Sequence, residues 1–416
     1  RIPEYVARAF RVATAGRPGP VVLAIPEDML TDEVEAVDRP PVPPLAEAPD
    51  PGAIQAMFEL LKEAASPVAI IGGADWSPRA AHHWANFAYR HGIPTAASFR
   101  RQDAVDNKCG VYAGQLGYGP NPKLQQRIRD ADLIIAVGTR LGESTTDGYT
   151  LVTPDHPGQT LVHVHPDPNE LGRVYHADLP ICADMGEFAE MVDDWQDPDL
   201  VRFSCGETAH AEWLDWSEPK PRDGVALDLG PCVKAMRDAL PSNSIICNGA
   251  GNFSGWWHRY WHYGPLPTQL APTSGTMGYG LPAAVAAAIR FKDRPVVCVA
   301  GDGDFLMNGQ ELATAAQYGA DLLVVVVDNG AYGTIRMHQE REYPERISAT
   351  QLCNPDFAAL ARAFGGWAET VDKTADFATA LDQAMERKGI RLIHCKTDVE
   401  QITNATTISK IRDRER

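Results

Sequence analysis

Short, uninterrupted apolar runs alternate along the chain with longer stretches in which apolar residues recur at helical spacing. Strand candidates lie at residues 68–71, 133–137 and 161–165, and the runs at 296–300 and 322–327 are typical of strands buried on both faces. Several of them end in glycine or in polar residues, where a turn into the next element is expected. The pattern predicts an α/β fold with parallel sheets, arranged as Rossmann-like, three-layer domains.

The first part of the chain has too few elements to form a domain by itself. Residues 1–40 contain one helix, predicted at 3–16, one buried strand, predicted at 21–25, and the start of a proline-rich linker that includes Pro41 and Pro44. A single helix and a single strand cannot bury their apolar faces alone. We therefore expect this segment to be the last part of a domain that begins elsewhere, so that the chain is a fragment or needs a second polypeptide.

Two larger units are expected to follow. We predict a central Rossmann-like domain at residues 41–195, a polar linker at 196–225 and a second α/β domain at 226–400. The tail, residues 401–416, is polar and charged. We expect this tail to be a mobile lid or a disordered end.

Composition excludes several classes of protein. The 416 residues carry a formal net charge of −17, which argues against non-specific binding to nucleic acid or to anionic membranes. No apolar run reaches the length of a membrane helix, and the first residues do not resemble a signal peptide. The eight cysteines include no CxxC pair, so they are expected to be reduced thiols in a cytoplasmic protein without a zinc site.

Polar residues with distinct chemistry follow two of the predicted buried strands. Asp302 and Asp304 alternate with glycine after the strand at 296–300, and Asn329 follows the strand at 322–327. A strand–helix–strand unit places its strands in parallel, so both clusters lie at one sheet edge, about 5 Å apart if the strands are neighbours. Carboxylate, amide and main-chain carbonyl oxygens suit Mg²⁺ or Ca²⁺ and not zinc. The alternative is an aspartate helix cap followed by an ordinary Asn-Gly turn.

A bound cation would explain why acidic residues occur where an anion is expected. Asp302 would hold the cation and the cation would hold a diphosphate, while Gly303 and Asp304 would offer main-chain N–H groups. The segment 301–303, Gly-Asp-Gly, followed by the turn that contains Asn329, resembles the thiamine-diphosphate motif. Residues 16–29 resemble the end of that family's pyrimidine-binding domain.

The resemblance extends over essentially the whole chain, in the domain order of acetolactate synthase-like enzymes. It implies the fold of the thiamine-diphosphate enzyme superfamily, with pyrimidine-binding, central and diphosphate-binding domains. It also implies magnesium ligands at Asp302, Asn329 and the carbonyl of Ala331.

Further roles are implied for residues around the cofactor. Those expected to contact the diphosphate are Gly251, Asn252, Gly303 and Asp304. Met277 would support the bent cofactor beneath its thiazolium ring, and the carbonyl of Gly275 would accept a hydrogen bond from the aminopyrimidine. FAD is allowed as a further cofactor because Arg140 falls where acetolactate synthases contact flavin, but nothing else in the sequence indicates it.

Two departures from the family pattern affect the expected chemistry. The family's catalytic glutamate lies early in the pyrimidine-binding domain, and no residue of this sequence takes its place. The segment 333–348 resembles the substrate segment of acetolactate synthases, but His338 occupies the position of a characteristic tryptophan. His338 is therefore either an acid–base group or a solvated surface histidine.

The implied activity is decarboxylation of a 2-keto acid that depends on thiamine diphosphate and Mg²⁺, with acyl transfer to a second carbonyl. One alternative is a simple 2-keto acid decarboxylase, which would release an aldehyde. Another is a non-catalytic fragment that needs a separate N-terminal domain. The expected assembly is a homo-oligomer, a dimer or a tetramer, or a complex with a separate pyrimidine-binding polypeptide.

Overall fold

The structure is a computed structural model that describes residues 1–414 except 41, 44, 74, 155–157 and 201. Two of the predicted linker prolines, Pro41 and Pro44, therefore lie outside the described residues. The chain divides into two compact units, residues 1–95 with 126–205 and residues 96–125 with 206 onwards.

Two six-stranded sheets form the framework of the fold. The strands are β1 (Pro67–Ile71), β2 (Thr95–Ala97), β3 (Tyr112–Gln115), β4 (Leu133–Val137), β5 (Thr160–His165), β6 (Leu179–Cys182), β7 (Ile245–Asn248), β8 (Gln269–Leu270), β9 (Val296–Gly301), β10 (Leu322–Asp328), β11 (Trp367–Val371) and β12 (Ile390–Lys396). Their orders are β3-β2-β1-β4-β5-β6 and β11-β12-β10-β9-β7-β8. The predicted α/β class with parallel sheets is confirmed.

Helices connect the strands of both sheets. They are α1 (Ile2–Thr14), α2 (Pro51–Glu63), α3 (Pro78–His91), α4 (Pro122–Arg129), α5 (Met185–Asp194), α6 (Cys205–Ser217), α7 (Leu229–Ala239), α8 (Ser254–Tyr260), α9 (Gly280–Arg290), α10 (Asp302–Asn308), α11 (Leu312–Gln317), α12 (Gly333–Glu342), α13 (Phe357–Ala363), α14 (Thr374–Met385) and α15 (Ile408–Arg414). Short 3₁₀ turns lie at Glu27–Thr31, Gln102–Ala104 and Gly309–Glu311. Within the described ranges, none of the helices has the length and apolarity needed to cross a bilayer.

The second sheet is covered by helices on both faces, which explains why its strands are continuously apolar. In β9, Val297 and Val299 pack into an apolar cluster with residues of α7, α8 and α14. Val296 and Cys298, which point to the opposite face, pack into another cluster with residues of α9 and α13. Successive side chains of a strand point to opposite faces, so a strand covered on both sides must be apolar at every position.

The expected strand at residues 21–25 is not formed. These residues are exposed, with Val22 at 89% exposure, and they belong to none of the strands in the described part of the chain. The helix expected at residues 3–16 is present as α1, but none of its residues is buried. The apolar pattern of this segment therefore marks surfaces that no described residue covers.

The expectation of a disordered end is wrong for residues 402–414. Ile402, Ile408 and Ile411 are 1%, 3% and 8% exposed and form a small apolar cluster with Met337 and Val399. The segment ends in α15. The isoleucines recur at a spacing that places them on one side of the chain, where α12 covers them.

Candidate cofactor and metal site

The two polar clusters predicted from the sequence follow neighbouring strands. β9 and β10 pair in parallel, and Gly301 lies opposite Val327 at the end of the ladder. Asp302 comes directly after Gly301, and Asp328 comes directly after Val327. The condition that the sequence left open, adjacency of these strands, is therefore met, and the polar residues after them meet at the carboxyl edge of the sheet.

One cavity opens at this edge, and it collects most of the predicted site residues. Eight of the ten line it: Gly251, Asn252, Met277, Asp302, Gly303, Asp304, Asn329 and Ala331. Gly275 and His338 are not among its lining residues. Gly275 lies at an exposed turn with a φ of 73°, and His338 is exposed on α12.

Asp302 is buried at the N-terminus of α10. Its side chain is 3% exposed, with Oδ1 accepting the Gly303 N–H at 2.9 Å and Oδ2 accepting the side-chain amide of Asn354 at 2.7 Å. Burial raises the pKa of Asp302 to about 6, and the two hydrogen bonds act against that rise. A cation beside this buried carboxylate would stabilise its ionised form.

A second carboxylate, Asp328, contacts the same amide. The Asn354 side-chain nitrogen lies 2.7 Å from Asp328 Oδ1, and His394 Nε2 lies 2.8 Å from Asp328 Oδ2. Burial opposes ionisation here too, but the hydrogen bonds from His394 and Asn354 outweigh it and lower the pKa of Asp328 to about 2. Sequence reasoning missed both Asp328 and Asn354 as site residues, although Asp328 could have been found because it immediately precedes Asn329.

The turn that carries Asn329 is fixed by main-chain contacts. Asn329 Oδ1 accepts the Ala331 N–H at 3.1 Å, and Leu352 donates its N–H to the Gly330 carbonyl at 2.8 Å. Ala331 also forms an antiparallel bridge with Gln351. An amide oxygen has two lone pairs, so Asn329 can accept this bond and still coordinate a cation.

Asp304 points away from this turn and joins two glycine-containing loops. Its Oδ1 accepts the Gly278 N–H at 2.7 Å and the Ala250 N–H at 3.2 Å. Burial raises the pKa of Asp304 to about 6, although both hydrogen bonds favour the ionised form. A side chain at Gly249 would collide with this carboxylate, since a Cβ there would lie 2.0 Å from Oδ2.

The remaining wall of the cavity comes from residues that have no local signal in the sequence. The Thr334 hydroxyl makes two hydrogen bonds with Asn252. It accepts the main-chain N–H of Asn252 at 3.1 Å and donates to the Asn252 side-chain oxygen at 3.0 Å. Asn252 also donates to the Ile402 carbonyl at 3.1 Å. Thr334 and Ile402 line the cavity with Tyr332, whose ring would lie 2.6 Å from a Cβ at Gly303.

The residues present fit a divalent cation with a phosphate ligand. The carboxylate of Asp302, the amide oxygen of Asn329 and the carbonyl of Ala331 supply only oxygen donors, which is the set that Mg²⁺ prefers. Gly303 lies against the ring of Tyr332 and cannot carry a side chain without displacing it, and both residues line the cavity.

Two family models match the chain. Residues 54–192 match the central domain of thiamine pyrophosphate enzymes, and residues 249–395 match the C-terminal TPP binding domain of the same enzymes. Thiamine pyrophosphate is another name for thiamine diphosphate.

Curated relatives agree with this assignment. An acetolactate synthase large subunit of Parasynechococcus marenigrum (strain WH8102) is 33% identical over 380 residues, which are 87% of this chain and 60% of the relative. The acetolactate synthase isozyme 2 large subunit of Escherichia coli (strain K12) is 28% identical over 411 residues, which are 95% of this chain and 72% of the relative. The chain thus spans about 60 to 72% of the length of these two proteins.

A solved structure shows the same fold. The crystal structure of benzoylformate decarboxylase from Polynucleobacter necessarius superposes with a TM-score of 0.78 at 22% identity, covering 96% of this chain and 74% of that one. The fold, the two domain matches and the relatives lead to one conclusion. The chain belongs to the thiamine pyrophosphate enzyme family, of which it carries the central and C-terminal TPP-binding domains.

Proposed function

We propose that the chain takes part in decarboxylation of a 2-keto acid that depends on thiamine diphosphate and Mg²⁺, with transfer of the acyl unit to a second carbonyl. The observation that supports this most directly is the meeting of Asp302, Asn329 and Ala331 in one cavity with Met277. The acetolactate synthase large subunits among its relatives support the same class of reaction.

Each part of the cavity has a separate task in this proposal. Asp302, Asn329 and the Ala331 carbonyl would hold Mg²⁺, which in turn would bind the diphosphate. Gly303, Asp304, Gly251 and Asn252 would contact the diphosphate, and Met277 would support the ring system of the cofactor. When bound, thiamine diphosphate supplies the carbon that adds to the keto group and that accepts the electron pair as carbon dioxide leaves.

Calorimetry tests the cofactor site on the chain as it is. Thiamine diphosphate titrated into the chain with MgCl₂ should bind, and the same titration with EDTA should show strongly weakened binding. Equal heats under the two conditions, or no binding in either, would overturn the proposed site.

We propose that catalysis also needs a group from a pyrimidine-binding domain. By resemblance, the glutamate that activates the cofactor belongs to a pyrimidine-binding domain, and we propose that such a domain or polypeptide completes the active site in a homo-oligomer. Turnover of pyruvate measured with and without an N-terminal polypeptide of this family tests the idea. Full turnover by the chain alone would contradict it, and no turnover despite cofactor binding in both mixtures would favour the non-catalytic alternative.

A second candidate is simple decarboxylation of a 2-keto acid. It is favoured by His338, which occupies the position of the tryptophan that is characteristic of acetolactate synthases in the resemblance and is exposed on α12. The products of the active assembly with pyruvate distinguish the two reactions. Acetolactate would support acyl transfer, whereas acetaldehyde without acetolactate would support the decarboxylase.

A further inference from the structure

The segment 272–278, which carries Gly275 and Met277, is held at its two ends by side chains of opposite charge. At the C-terminal end, the carboxylate of Asp304 accepts the Gly278 N–H at 2.7 Å. At the N-terminal end, Arg100 Nη1 donates a short hydrogen bond to the carbonyl of Pro272. Arg100 is more than 170 residues away in sequence from both Met277 and Asp304, so nothing local in the sequence indicates this arrangement.

Arg100 is an unusual arginine in three respects. Its side chain is buried, at 6% exposure, with the guanidinium 4.8 Å from the centre of the Phe99 ring. Its backbone has a φ of 58°, in the left-handed region that residues with a side chain rarely adopt. Its Nε is buried and has no hydrogen-bond acceptor among the residues that the structure describes. A buried cation in a disfavoured backbone conformation is costly, so its position requires a compensating interaction.

Arg100 is compensated by its hydrogen bond to the Pro272 carbonyl and by the negative charge of Asp304. Asp304 is 3% exposed, and its Oδ2 is buried without a donor in the described part of the chain. Burial lowers the pKa of Arg100 to about 10, and the negative charge of Asp304 acts in the opposite direction by favouring the cation. The two charges therefore stabilise each other across the segment that both of them hold.

We propose that Arg100 is a positioning residue for the cofactor-binding segment, acting as the partner of Asp304. Together the two side chains fix the main chain between Pro272 and Gly278, and with it the carbonyl of Gly275 and the side chain of Met277. The consequence for the cofactor rests on the proposed function. The mechanical part, the holding of segment 272–278, does not depend on any bound group.

Hydrogen–deuterium exchange of the cofactor-free chain tests the mechanical part. In Arg100→Gln and in Asp304→Ala, peptides that contain the Gly275 and Gly278 amides should exchange about tenfold faster than in the unmodified chain, because each change releases one end of the segment. The matched control is Arg294→Gln. Arg294 also donates to main-chain carbonyls, of Asn243 at 2.8 Å and of Pro267 at 2.5 Å, but it does not line the cavity.

Cofactor titration tests the functional part. Arg100→Gln should weaken the binding of thiamine diphosphate with Mg²⁺ by about 10- to 100-fold, as is usual when a residue that supports a ligand-binding group is removed. Because the two residues act as a pair, the double variant with Asp304→Ala should bind no more weakly than the weaker-binding single variant. Arg100→Lys keeps the positive charge but not the planar guanidinium group, so it should bind the cofactor more tightly than Arg100→Gln. It replaces Arg100→Gln in both experiments if Arg100→Gln does not fold.

The outcomes separate this inference from the proposed function. If segment 272–278 exchanges in Arg100→Gln and Arg100→Lys as it does in Arg294→Gln, the pairing is wrong. If the segment is released but cofactor affinity is unchanged, Arg100 is structural and does not position the cofactor. If the unmodified chain binds no thiamine diphosphate, the proposed function fails, while the exchange experiment still decides whether the two side chains hold the segment.

Discussion

Asp302 and Asp328 share one hydrogen-bond donor, the side-chain nitrogen of Asn354, which lies 2.7 Å from an oxygen of each carboxylate. The two acids follow neighbouring strands and are brought together by the pairing of Gly301 with Val327. Two carboxylates in contact with a single amide repel each other when both are ionised. A cation beside Asp302 relieves this repulsion, and the consequences can be measured.

Replacement of Asp302 tests the cation directly. Asp302→Ala should weaken the binding of thiamine diphosphate in the presence of Mg²⁺ by roughly 100-fold or more, because it removes one partner of a buried charge pair. Calorimetry provides the affinity. The matched control is Asp321→Ala, which removes an aspartate at the opposite end of β10, where it pairs with Arg391 at 2.5 Å. Equal loss of affinity in the two variants would show that Asp302 has no special role.

Asn354 should be needed most when no cation is present. Asn354→Ala leaves Asp302 and Asp328 without their common donor, and loss of such a buried hydrogen bond costs about 1–3 kcal/mol. The melting temperature of the metal-free chain should therefore fall by several degrees. Addition of MgCl₂ and thiamine diphosphate should raise it more in the variant than in the unmodified chain. A smaller rise in the variant would mean that the cation does not lie beside these carboxylates.

The packing of the tail should depend on Glu340. This glutamate is 1% exposed and accepts hydrogen bonds from Arg412 at 2.7 and 2.8 Å, while Arg336 lies 2.5 Å away on the same helix. Glu340→Gln removes the charge that both arginines contact, which costs about 3 kcal/mol for a buried pair. Helix α15 should then detach, and trypsin should cleave after Lys410 at least about tenfold faster.

Glu342→Gln is the control for this experiment, because Glu342 is exposed on the same helix. Release of the tail should also reduce cofactor affinity, since Ile402 lines the cavity and is buried by the apolar cluster. Cleavage at the same rate in Glu340→Gln and Glu342→Gln would show that the ion pairs do not hold the tail.

Asp75 in the first unit should make stability depend on pH. Burial, followed by the nearby Asp184 carboxylate, raises the pKa of Asp75 to about 7, well above the value near 4 of an unfolded chain. The folded state therefore binds this proton more tightly than the unfolded state. Its contribution to stability is complete below pH 4 and is lost as the pH rises through about 7.

Asp75→Asn should remove that loss. Its thermal midpoint should match the unmodified chain at pH 4 and exceed it by roughly 2–4 °C at pH 8, a modest gain because solvent screens this half-buried group. Asparagine also tolerates the φ of 72° at this position. Asp147→Asn is the control, an exposed aspartate with a φ of 53°. A variant that is less stable than the unmodified chain at pH 8 would contradict the prediction.

Much of the fold follows from local patterns. The strand at 133–137 agrees with β4, and the strand at 322–327 is extended only by Asp328 in β10. The same kind of apolar run fails at 21–25, because a strand needs a partner and the pattern alone does not specify one. The tail was misjudged for the related reason that three isoleucines among polar residues give a weak signal, although α12 buries them.

The candidate site also contains some residues that the sequence indicates and others that it does not. Asp302 and Asn329 could be placed together because parallel strands end at one edge of a sheet, whereas Ala331 was implied only by the family resemblance. Asn354 could not be found, since its role depends on a loop that folds back beside β10. Arg100 reaches the site through a contact across 172 residues, for which a sequence without its fold provides no signal.

The ladder between β9 and β10 sets the distance across the cavity, and the connecting helices do not. Gly301 lies opposite Val327 in this ladder, and the strand hydrogen bonds that hold the register lie beneath the polar loops. Insertions in the exposed part of the connection between α11 and β10 should therefore leave the ligand geometry intact. A protein engineer could graft new recognition elements there without rebuilding the candidate cofactor site.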